Sequence, residues 1–517
     1  MSSLPANNSS PAPAARAGAR FSGFPALKTY LDGLGLFRMT PGLERVAAML
    51  DRLGLRRPPY TVVQVVGTNG KGSTSTMLAA LAAAHGLKTG LHVSPHFVSV
   101  RERVRVNGAM LPEAAWTDLG NTLMDRGGEE LSYFEFVTAL AVLAFAEAGV
   151  DLAVMETGLG GSYDATTALD ADLAVFTPMG LDHQAVLGLT LHEIATDKAG
   201  AVRPGKPAFS VPQRPEARAA LRRAALERNA LLTEVPSSYP LPPGSALDES
   251  GRILTAGPWG HEPCSADGES LVLGLAGSHQ YGNARLALAV WHALRRGGML
   301  SASALHTVDG ALSRAKAEVL EAQALAGARL PGRLQYVPPL APHAGRAGQW
   351  TAACGATAEQ PGSRSMSVSV TGFMPCPLGW PPILLDGAHN GHGLAALGRS
   401  LARAGVAPAA VIFSCLADKD PEDMLPLLRA LATGPIFVPP IQDNPRAAVP
   451  GDLAAAIGLN AAPVGSLTEA LQKAAGHMAE RLPESFAGRR PLNPLLICGS
   501  LYLLGEFFAI RPDCLAG

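Results

Sequence analysis

Closely spaced cysteines, an excess of charge of one sign and long apolar runs are all missing from this 517-residue chain. Its six cysteines include no CxxC pair, which argues against a zinc ribbon or disulfide framework and favours a reducing compartment, the cytoplasm. The 42 basic residues balance 43 acidic residues, so nothing indicates binding to nucleic acid or to a membrane surface. No uncharged apolar run reaches the roughly 18 residues of a membrane span.

The composition is that of a large folded protein. Apolar residues make up 47% of the chain, which is enough for sizeable cores and excludes general disorder. At about 150 residues per domain, the length predicts two to four domains. Residues 1–20 contain two arginines and no acidic residue. We interpret them as a disordered tail, with an organelle-targeting segment as the alternative.

Strands alternate with helices along most of the chain. The β-branched run 61–66 predicts a buried strand, and the alanine-rich stretch after it predicts a helix over about 74–85. This alternation predicts an α/β fold with a mainly parallel sheet covered by helices on both faces. Further strands are predicted at 89–93, 152–155 and 173–176, with helical spacing in 24–55, 134–148 and 191–201.

The stretch 337–381 interrupts the alternation, because it is rich in Pro, Gly, Ser, Ala and Thr and has little periodicity. The chain is therefore predicted to contain a tail (1–20), a large domain (21–336), a linker or insertion (337–381) and a smaller α/β domain (382–517). In the last of these, strands are predicted at 383–385, 410–414, 435–438 and 495–498, with helices from 393, from 421, over 467–481 and over 501–508.

A glycine-rich turn joins the first predicted strand to the following helix. It reads Gly67-Thr68-Asn69-Gly70-Lys71-Gly72-Ser73. Glycines let backbone N–H groups surround a phosphate, and the helix N-terminus adds a favourable dipole. Lys71 supplies a positive charge, and Ser73 or Thr74 can reach a metal ion. The turn predicts nucleotide binding; a purely structural turn is the alternative.

Side chains of types that can bind a metal ion follow three of the predicted strands. Ser94, Glu156 and His183 lie just beyond the strands 89–93, 152–155 and 173–176. Because ligands bind beyond the carboxyl ends of parallel strands, these side chains could hold Mg²⁺ beside ATP phosphates, with water completing the shell. Helix capping and loop hydrogen bonding is the alternative for Glu156 and His183.

Three other motifs carry weak signals on their own. Lys198, in the segment Asp197-Lys198-Ala199-Gly200, fits an exposed lysine near a helix C-terminus. Arg333 and Asp386 each lie in a segment that fits a turn. An arginine and an aspartate beside a domain junction can also close on a nucleotide across a cleft.

Taken together, the motifs identify a family. GTNGKGS, SPH, SYFEF, ETGLGGxxDAT, LDHxxxLGxT, DKAG, HQxxN, LPGR and LLDGAHN occur in this order and resemble the folylpolyglutamate synthase/dihydrofolate synthase family of the Mur ligase superfamily. The resemblance covers about residues 25–335 and 382–510. It implies a P-loop, Mur-ligase-type central domain and a smaller Rossmann-like C-terminal domain, with ATP in the cleft between them. It also implies that a pteroate or folate carboxylate is phosphorylated by ATP and then attacked by the amino group of L-glutamate.

The resemblance also implies roles for individual residues. Lys71, Lys198 and His183 are the expected catalytic residues, and Lys198 is expected to be carbamylated. The ATP phosphates are expected to contact Thr68, Asn69, Gly70, Lys71, Gly72 and Ser73, and the rest of the nucleotide is expected to contact Asn283, Arg333 and Asp386. One Mg²⁺ is expected at Ser94, Glu156 and His183, and a second at Ser73. The pterin-bearing substrate is expected to contact Thr40, Pro41, Gly42, Ser132, Phe134, Tyr163, Asp164 and Ala165, and glutamate is expected to contact His389 and Asn390. Potassium is a further ion that the resemblance allows.

Four positions depart from the family pattern. Ser162 stands where the family usually has Arg, Thr167 where it has Asn, Asp197 where it has Glu, and Gly391 where it has Pro. The first departure removes a positive charge beside the pterin or carboxylate site. It bears on substrate preference more than on catalysis, because the phosphate and metal residues are intact.

The favoured interpretation is an ATP-dependent ligase that adds L-glutamate to dihydropteroate and to tetrahydrofolates, as a cytoplasmic monomer without nucleic-acid or membrane partners. Another Mur-superfamily amino-acid ligase is one alternative, and SPH and SYFEF argue against it. A non-catalytic ATP-binding paralogue is a second, opposed by the intact Lys71, Glu156 and Lys198. Metal-dependent proteolysis is excluded, because Thr196 stands at the second histidine position of an HExxH motif.

Overall fold

The computed structural model describes residues 20–35, 42–242, 271, 273–309, 313–339, 380–419, 421–458, 460–480 and 493–516. The chain divides into two compact units. The first comprises residues 1–254, 267–273 and 280–328, and the second comprises 255–266, 274–279 and 329–517.

An eight-stranded sheet forms the centre of the first unit. Its strands, in chain order, are β1 (Thr61–Val66), β2 (Thr89–His92), β3 (Val104–Val106), β4 (Ala109–Met110), β5 (Leu152–Glu156), β6 (Leu173–Phe176), β7 (Ala208–Ser210) and β8 (Leu232–Glu234). They lie side by side in the order β4-β3-β2-β5-β1-β6-β7-β8. All neighbours pair in parallel except β2–β3 and β3–β4, so the carboxyl ends of β2, β5, β1 and β6 share one edge.

Two helices of the first unit are buried on nearly every face. One is α3, in which ten of fourteen residues are buried, and the other is α5, in which twelve of sixteen are buried. The helices are α1 (Phe24–Leu34), α2 (Glu44–Leu53), α3 (Lys71–Ala84), α4 (Glu113–Met124), α5 (Tyr133–Ala148), α6 (Gln184–Leu187), α7 (Leu191–Ala199), α8 (Pro215–Glu227), α9 (His279–Arg296, whose first residue belongs to the second unit), α10 (Ala302–Asp309) and α11 (Arg314–Gly327).

The second unit contains a six-stranded sheet in the order β13-β12-β11-β14-β10-β9. All its neighbouring strands pair in parallel except β9 and β10. The strands are β9 (Gln335–Val337), β10 (Ile383–Leu385), β11 (Ala410–Phe413), β12 (Ile436–Val438), β13 (Ala461–Pro463) and β14 (Leu495–Cys498). The helices are α12 (Gly391–Arg403), α13 (Pro421–Leu431), α14 (Pro450–Ile457), α15 (Leu467–Glu480) and α16 (Leu501–Ile510).

The observed architecture confirms the predicted α/β class with mainly parallel sheets. The α3 helix begins at Lys71, three residues before the predicted start at 74, because Lys71, Gly72 and Ser73 already form its first turn. Most of the predicted linker lies outside the described residues, which stop at 339 and resume at 380. Within the described ranges, no helix is long and apolar enough to cross a membrane.

The core of the first unit leaves no room for a side chain at Gly90 in β2. A Cβ atom added there would lie 2.7 Å from the ring of Phe145 in α5. We expect Gly90→Ala to lower the free energy of unfolding by about 1–3 kcal/mol, because overpacking forces the ring or the strand to move. Urea unfolding followed by circular dichroism measures the effect.

The matched control is Gly33→Ala in α1, where an added Cβ meets no atom within 4 Å. That substitution should be neutral or stabilise by up to about 1 kcal/mol, because alanine favours the helix. Equal unfolding midpoints for Gly90→Ala and the unmodified protein would contradict the packing described here.

Candidate active site

The turn after β1 leads directly into the N-terminus of α3. Gly67 has a φ of 155° and Gly70 a φ of 85°, both in the region that favours glycine. Gly70 is the N-cap of α3, and within the described chain no side chain caps that end. The first N–H groups of a fourteen-residue helix therefore remain available, an arrangement that suits a phosphate.

The segment after β6 fixes this turn in place. The backbone N–H groups of Thr68 and Asn69 donate to the carbonyl oxygen of Pro178, at 3.0 and 3.2 Å. The hydroxyl of Thr68 donates to the Gly180 carbonyl and accepts from the Gly180 N–H, both at 3.1 Å. Sequence patterns gave no sign of these contacts, because they involve main-chain groups that every residue carries.

Two lysines converge on the carbonyl oxygen of Gly67. The ammonium group of Lys71 donates to it at 3.2 Å and that of Lys198 at 3.0 Å. Lys198 is only 4% exposed. Burial lowers the pKa of Lys198 to about 7, the positive charge of Lys71 contributes to this lowering, and Asp182, Asp197 and Asp164 oppose it. The alternative interpretation, an exposed lysine at a helix end, is therefore wrong.

Ser94 and Glu156 meet at the carboxyl ends of the neighbouring strands β2 and β5. The backbone N–H of Ser94 donates to Glu156 Oε2 at 2.9 Å, and Glu156 is buried. His183 follows β6 with a positive φ of 52°, and its backbone N–H donates to Asp182 Oδ1 at 2.8 Å.

The chemistry of this donor set fits a divalent cation that receives much of its coordination from phosphate and water. Ser94 and Glu156 supply hard oxygen donors, and His183 supplies a nitrogen. Among the described residues, no three His, Cys, Asp or Glu side chains cluster as a complete protein-made metal site. A cation here would therefore depend on nucleotide oxygens for the rest of its shell.

Asp164 organises the loop that follows β5. Its buried carboxylate accepts hydrogen bonds from the backbone N–H groups of Gly158 and Leu159, at 2.7 and 2.9 Å. It also accepts from the N–H and hydroxyl of Thr166, at 3.0 and 2.6 Å. Burial raises the pKa of Asp164, although these donors favour the charged form. The structure therefore places this carboxylate inside the loop.

Several of the predicted substrate residues surround the same loop. The ring of Phe134 lies against Gly158, where an added Cβ would be 2.7 Å away. Ser132 is the N-cap of α5, and its backbone N–H donates to Glu135 Oε2 at 2.8 Å. Tyr163 is 64% exposed and Ala165 is buried. Thr40 and Pro41 lie outside the described residues, and Gly42 has a φ of 125°.

Asn283 approaches the phosphate turn from α9. It is buried, its Nδ2 donates to Gln280 Oε1 at 2.8 Å, and its side-chain amide is the closest group to Gly70. The structure thus places Asn283 beside the turn and adds Gln280, which the sequence analysis did not single out.

The predicted residues of the second unit also lie together, just before β9 and just after β10. The Asp386 carboxylate accepts from the N–H groups of Leu334 and Ala388, each at 2.9 Å. Burial raises the pKa of Asp386, and the positive charge of Arg333 opposes that rise. The guanidinium of Arg333 contacts Gly387, and His389 Nδ1 lies 2.7 Å from the Gly387 carbonyl oxygen. Asn390 caps α12, its Oδ1 accepting from the Gly393 N–H at 2.8 Å.

The proximity of the two lysines can be tested by titration. Replacing Lys71 by alanine should raise the pKa of Lys198 above its value of about 7, because one positive charge near it is lost. The pKa should stay below the ordinary 10.5, because burial remains. The ¹³Cε resonances of labelled lysine measure it, with the exposed Lys88→Ala as control. A Lys198 pKa that does not rise would show that the two ammonium groups are not coupled.

Two relatives found by sequence comparison carry the same name. No protein-family model matches the chain. Dihydrofolate synthase/folylpolyglutamate synthase of Escherichia coli is 42% identical over 205 residues, which is 40% of this chain and 48% of that protein. The Bacillus subtilis protein of the same name is 28% identical over 442 residues, which is 84% of this chain and 88% of that protein. The chain thus spans about half of the first relative and most of the second.

Solved structures match over nearly the full chain. Escherichia coli FolC in complex with DHPP and ADP has a TM-score of 0.67 and 27% identity, covering 95% of this chain and 98% of that one. Bifunctional folylpolyglutamate synthase/dihydrofolate synthase with Mn, AMPPNP and L-glutamate bound has a TM-score of 0.66 and 27% identity with the same coverage. These matches show that the chain is similar, over most of its length, to proteins named dihydrofolate synthase/folylpolyglutamate synthase, in agreement with the motifs.

Proposed function

We propose that this chain joins L-glutamate to dihydropteroate and to reduced folates, using ATP and releasing ADP and phosphate. The observation that carries the proposal is the uncapped N-terminus of α3, beside which the ammonium groups of Lys71 and Lys198 meet at Gly67. Such a site suits the terminal phosphates of a nucleotide. The names of the relatives support the choice of substrates, since they include both the dihydrofolate and the folylpolyglutamate activities.

The chemistry explains why so much positive charge is needed. A carboxylate is a poor acyl donor, because its leaving group would be an oxide, and phosphorylation supplies a better one. The reaction first brings two anions together, the carboxylate and the γ-phosphate. Lys71 and the N–H groups at the start of α3 screen that repulsion and stabilise charge on the transferring group. Positioning of the reacting groups supplies much of the remaining acceleration.

Several residues are proposed to contact the nucleotide. Thr68, Asn69, Gly70, Gly72 and Ser73 contact its phosphates through the turn and the first turn of α3. Asn283 approaches the same turn from α9. In the second unit, Arg333 serves a phosphate and Asp386 the ribose. The structures of relatives with ADP or AMPPNP support nucleotide binding in this family.

A divalent cation completes the proposed site. Ser94, Glu156 and His183 would hold one Mg²⁺ and Ser73 a second, and the relative solved with Mn supports a divalent metal. When bound, the metal withdraws charge from phosphate oxygens and orients them. The residues themselves keep the oxygen donors at fixed strand ends, as the contact between Ser94 and Glu156 shows. Two metal sites and a role for K⁺ are further parts of the proposal.

Lys198 is proposed to be carbamylated. Its pKa of about 7 leaves a substantial neutral fraction of the amine at neutral pH. The neutral amine can attack CO₂, forming an N–C bond and releasing one proton to solvent. The product is an anion, which changes the charge beside Gly67 from two cations to one cation and one anion.

The two substrates are proposed to occupy different units. Ser132, Phe134, Tyr163 and Ala165 would contact the pterin-bearing substrate around the loop after β5, together with Thr40, Pro41 and Gly42. Asp164 would shape the same site through the loop it organises. His389 and Asn390 would face glutamate. Cytoplasmic location and a monomeric state are parts of the same proposal.

A ligation assay tests this function directly. Purified protein, MgATP and radiolabelled glutamate are combined with dihydropteroate or with tetrahydrofolate, and products are identified by mass spectrometry. We expect label in both products. Label in only one would assign a single synthase activity, and label in neither, despite ATP binding, would overturn the proposed substrates.

The assay needs a variant that is folded but inactive. We expect Lys71→Ala to abolish ligation while leaving the circular dichroism spectrum unchanged, because Lys71 is half-buried on the phosphate turn and supports no core contact there. Ligation by Lys71→Ala at the rate of the unmodified protein would remove the phosphate turn from the mechanism.

Lys198→Ala separates turnover from nucleotide binding. We expect kcat to fall by roughly 100-fold or more, the scale typical for loss of one buried charge-stabilising group. The Kd for ATP, measured by calorimetry, should change far less, and added bicarbonate should not restore activity. An unchanged kcat would contradict any role for a carbamate at this position.

A further inference from the structure

The loop after β5 is attached to the C-terminal end of α7 by three hydrogen bonds. The backbone N–H of Gly161 donates to Asp197 Oδ1 at 2.8 Å. The N–H and the hydroxyl of Ser162 both donate to the Asp197 carbonyl oxygen, at 3.0 and 2.9 Å. We call these three bonds the Ser162–Asp197 contact. A single residue of α7 thus holds two consecutive residues of the loop.

Close packing makes this attachment tight. Gly161 lies so near the backbone of α7 that an added Cβ would be 2.7 Å from the Cα of Lys198. On the other side, the hydroxyl of Ser162 occupies the space that a Cβ on Gly200 would fill. The loop and the end of α7 therefore share one surface without a gap, and one cannot shift without the other.

Lys198 directly follows Asp197, and its ammonium group donates to the Gly67 carbonyl on the phosphate turn. The same segment of α7 therefore contacts two parts of the candidate site. Through the Ser162–Asp197 contact it holds the loop that begins at Glu156, and through Lys198 it reaches the turn that ends β1. The carboxylate of Asp197 is also one of the charges that act on Lys198, together with Lys71, Asp182 and Asp164.

We propose that Ser162 and Asp197 are positioning residues that place the Lys198 amine at the phosphate turn. The inference rests on the proposed function for its link to turnover, but not for the placement itself. The Asp197 carboxylate contacts Gly161 and the Asp197 carbonyl oxygen contacts Ser162, so one residue holds the loop through both its side chain and its main chain.

Substitutions at Asp197 separate position from charge. Asp197→Ala removes the acceptor for the Gly161 N–H and the negative charge, whereas Asp197→Asn keeps an Oδ1 acceptor and loses only the charge. We expect Asp197→Ala to lower kcat about 10- to 100-fold, because small misplacements of a reacting group are costly. Asp197→Asn should recover most of that loss. The KM for ATP should stay within a few-fold of its original value in both variants.

The titration of Lys198 gives a readout that a purely structural role would not move. Losing the negative charge in Asp197→Asn should shift the pKa of Lys198 below its value of about 7, because Asp197 raises it. Its ¹³Cε resonance should therefore titrate at lower pH, and the limb of the kcat profile that depends on this amine should move with it. Ser162→Ala, which removes one of the three bonds, should change the chemical shift of the same resonance and lower kcat by less than Asp197→Ala.

Glu193→Gln is the matched control on the same helix. Glu193 caps the other end of α7 by accepting from Thr190, one turn from Asp197, and touches neither Ser162 nor Lys198. It should leave kcat and the Lys198 resonance unchanged. Equal losses of kcat in Glu193→Gln and Asp197→Ala would overturn the proposal, because they would reflect the stability of α7 alone.

Failure of the positioning role is distinguishable from failure of the proposed function. The Lys198 resonance is measured without turnover, on the full chain. If the unmodified protein ligates no substrate but Ser162→Ala, which changes no charge, moves that resonance, the placement stands and the reaction is different. An unmoved resonance in Ser162→Ala would overturn the placement, whatever the ligase assay shows.

Discussion

The carbonyl oxygen of Gly67 accepts hydrogen bonds from two ammonium groups, and the rest of the first unit's site is arranged around that meeting. Bringing two like charges to one oxygen is unfavourable where water is scarce. The structure moderates the repulsion by burying Lys198, whose pKa falls to about 7, and by placing three carboxylates within its electrostatic reach. An anionic ligand beside the two ammonium groups would moderate the repulsion further.

In each unit, one buried carboxylate shapes the loop that follows a central strand. Asp164 does this after β5, and Asp386 does it directly after β10. Both accept backbone N–H groups, and burial raises the pKa of both. A loop held from within by a carboxylate can present its outer backbone to a ligand without being rebuilt by it. Each unit therefore contains a loop that one buried carboxylate holds in place.

Much of the fold could be predicted from residue patterns. The strands β1, β6, β10 and β14 begin and end where short β-branched or aliphatic runs begin and end, because polar or glycine residues bound them. The start of α3 was missed, since Gly72 and Ser73 have poor helix propensity and only burial in the first unit makes them helical. Strand-end positions correctly brought Ser94 beside Glu156. Patterns of residue type could not predict main-chain contacts, such as those of Thr68 with Pro178, because every residue carries the groups involved. They also could not predict the direction of the Ser162 side chain.

The pairing of β9 with β10 in the second unit bears on how the length of this chain can change. Val337 of β9 lies opposite Ile383 of β10, so the chain leaves the sheet and returns to it at directly paired positions. The entropic cost of closing a loop between the two strands grows only with the logarithm of the loop length, by about 0.6 kcal/mol for each doubling. Residues can thus be gained or lost between the two strands while the register of the sheet stays the same. The segment between these two strands can therefore be lengthened at little thermodynamic cost.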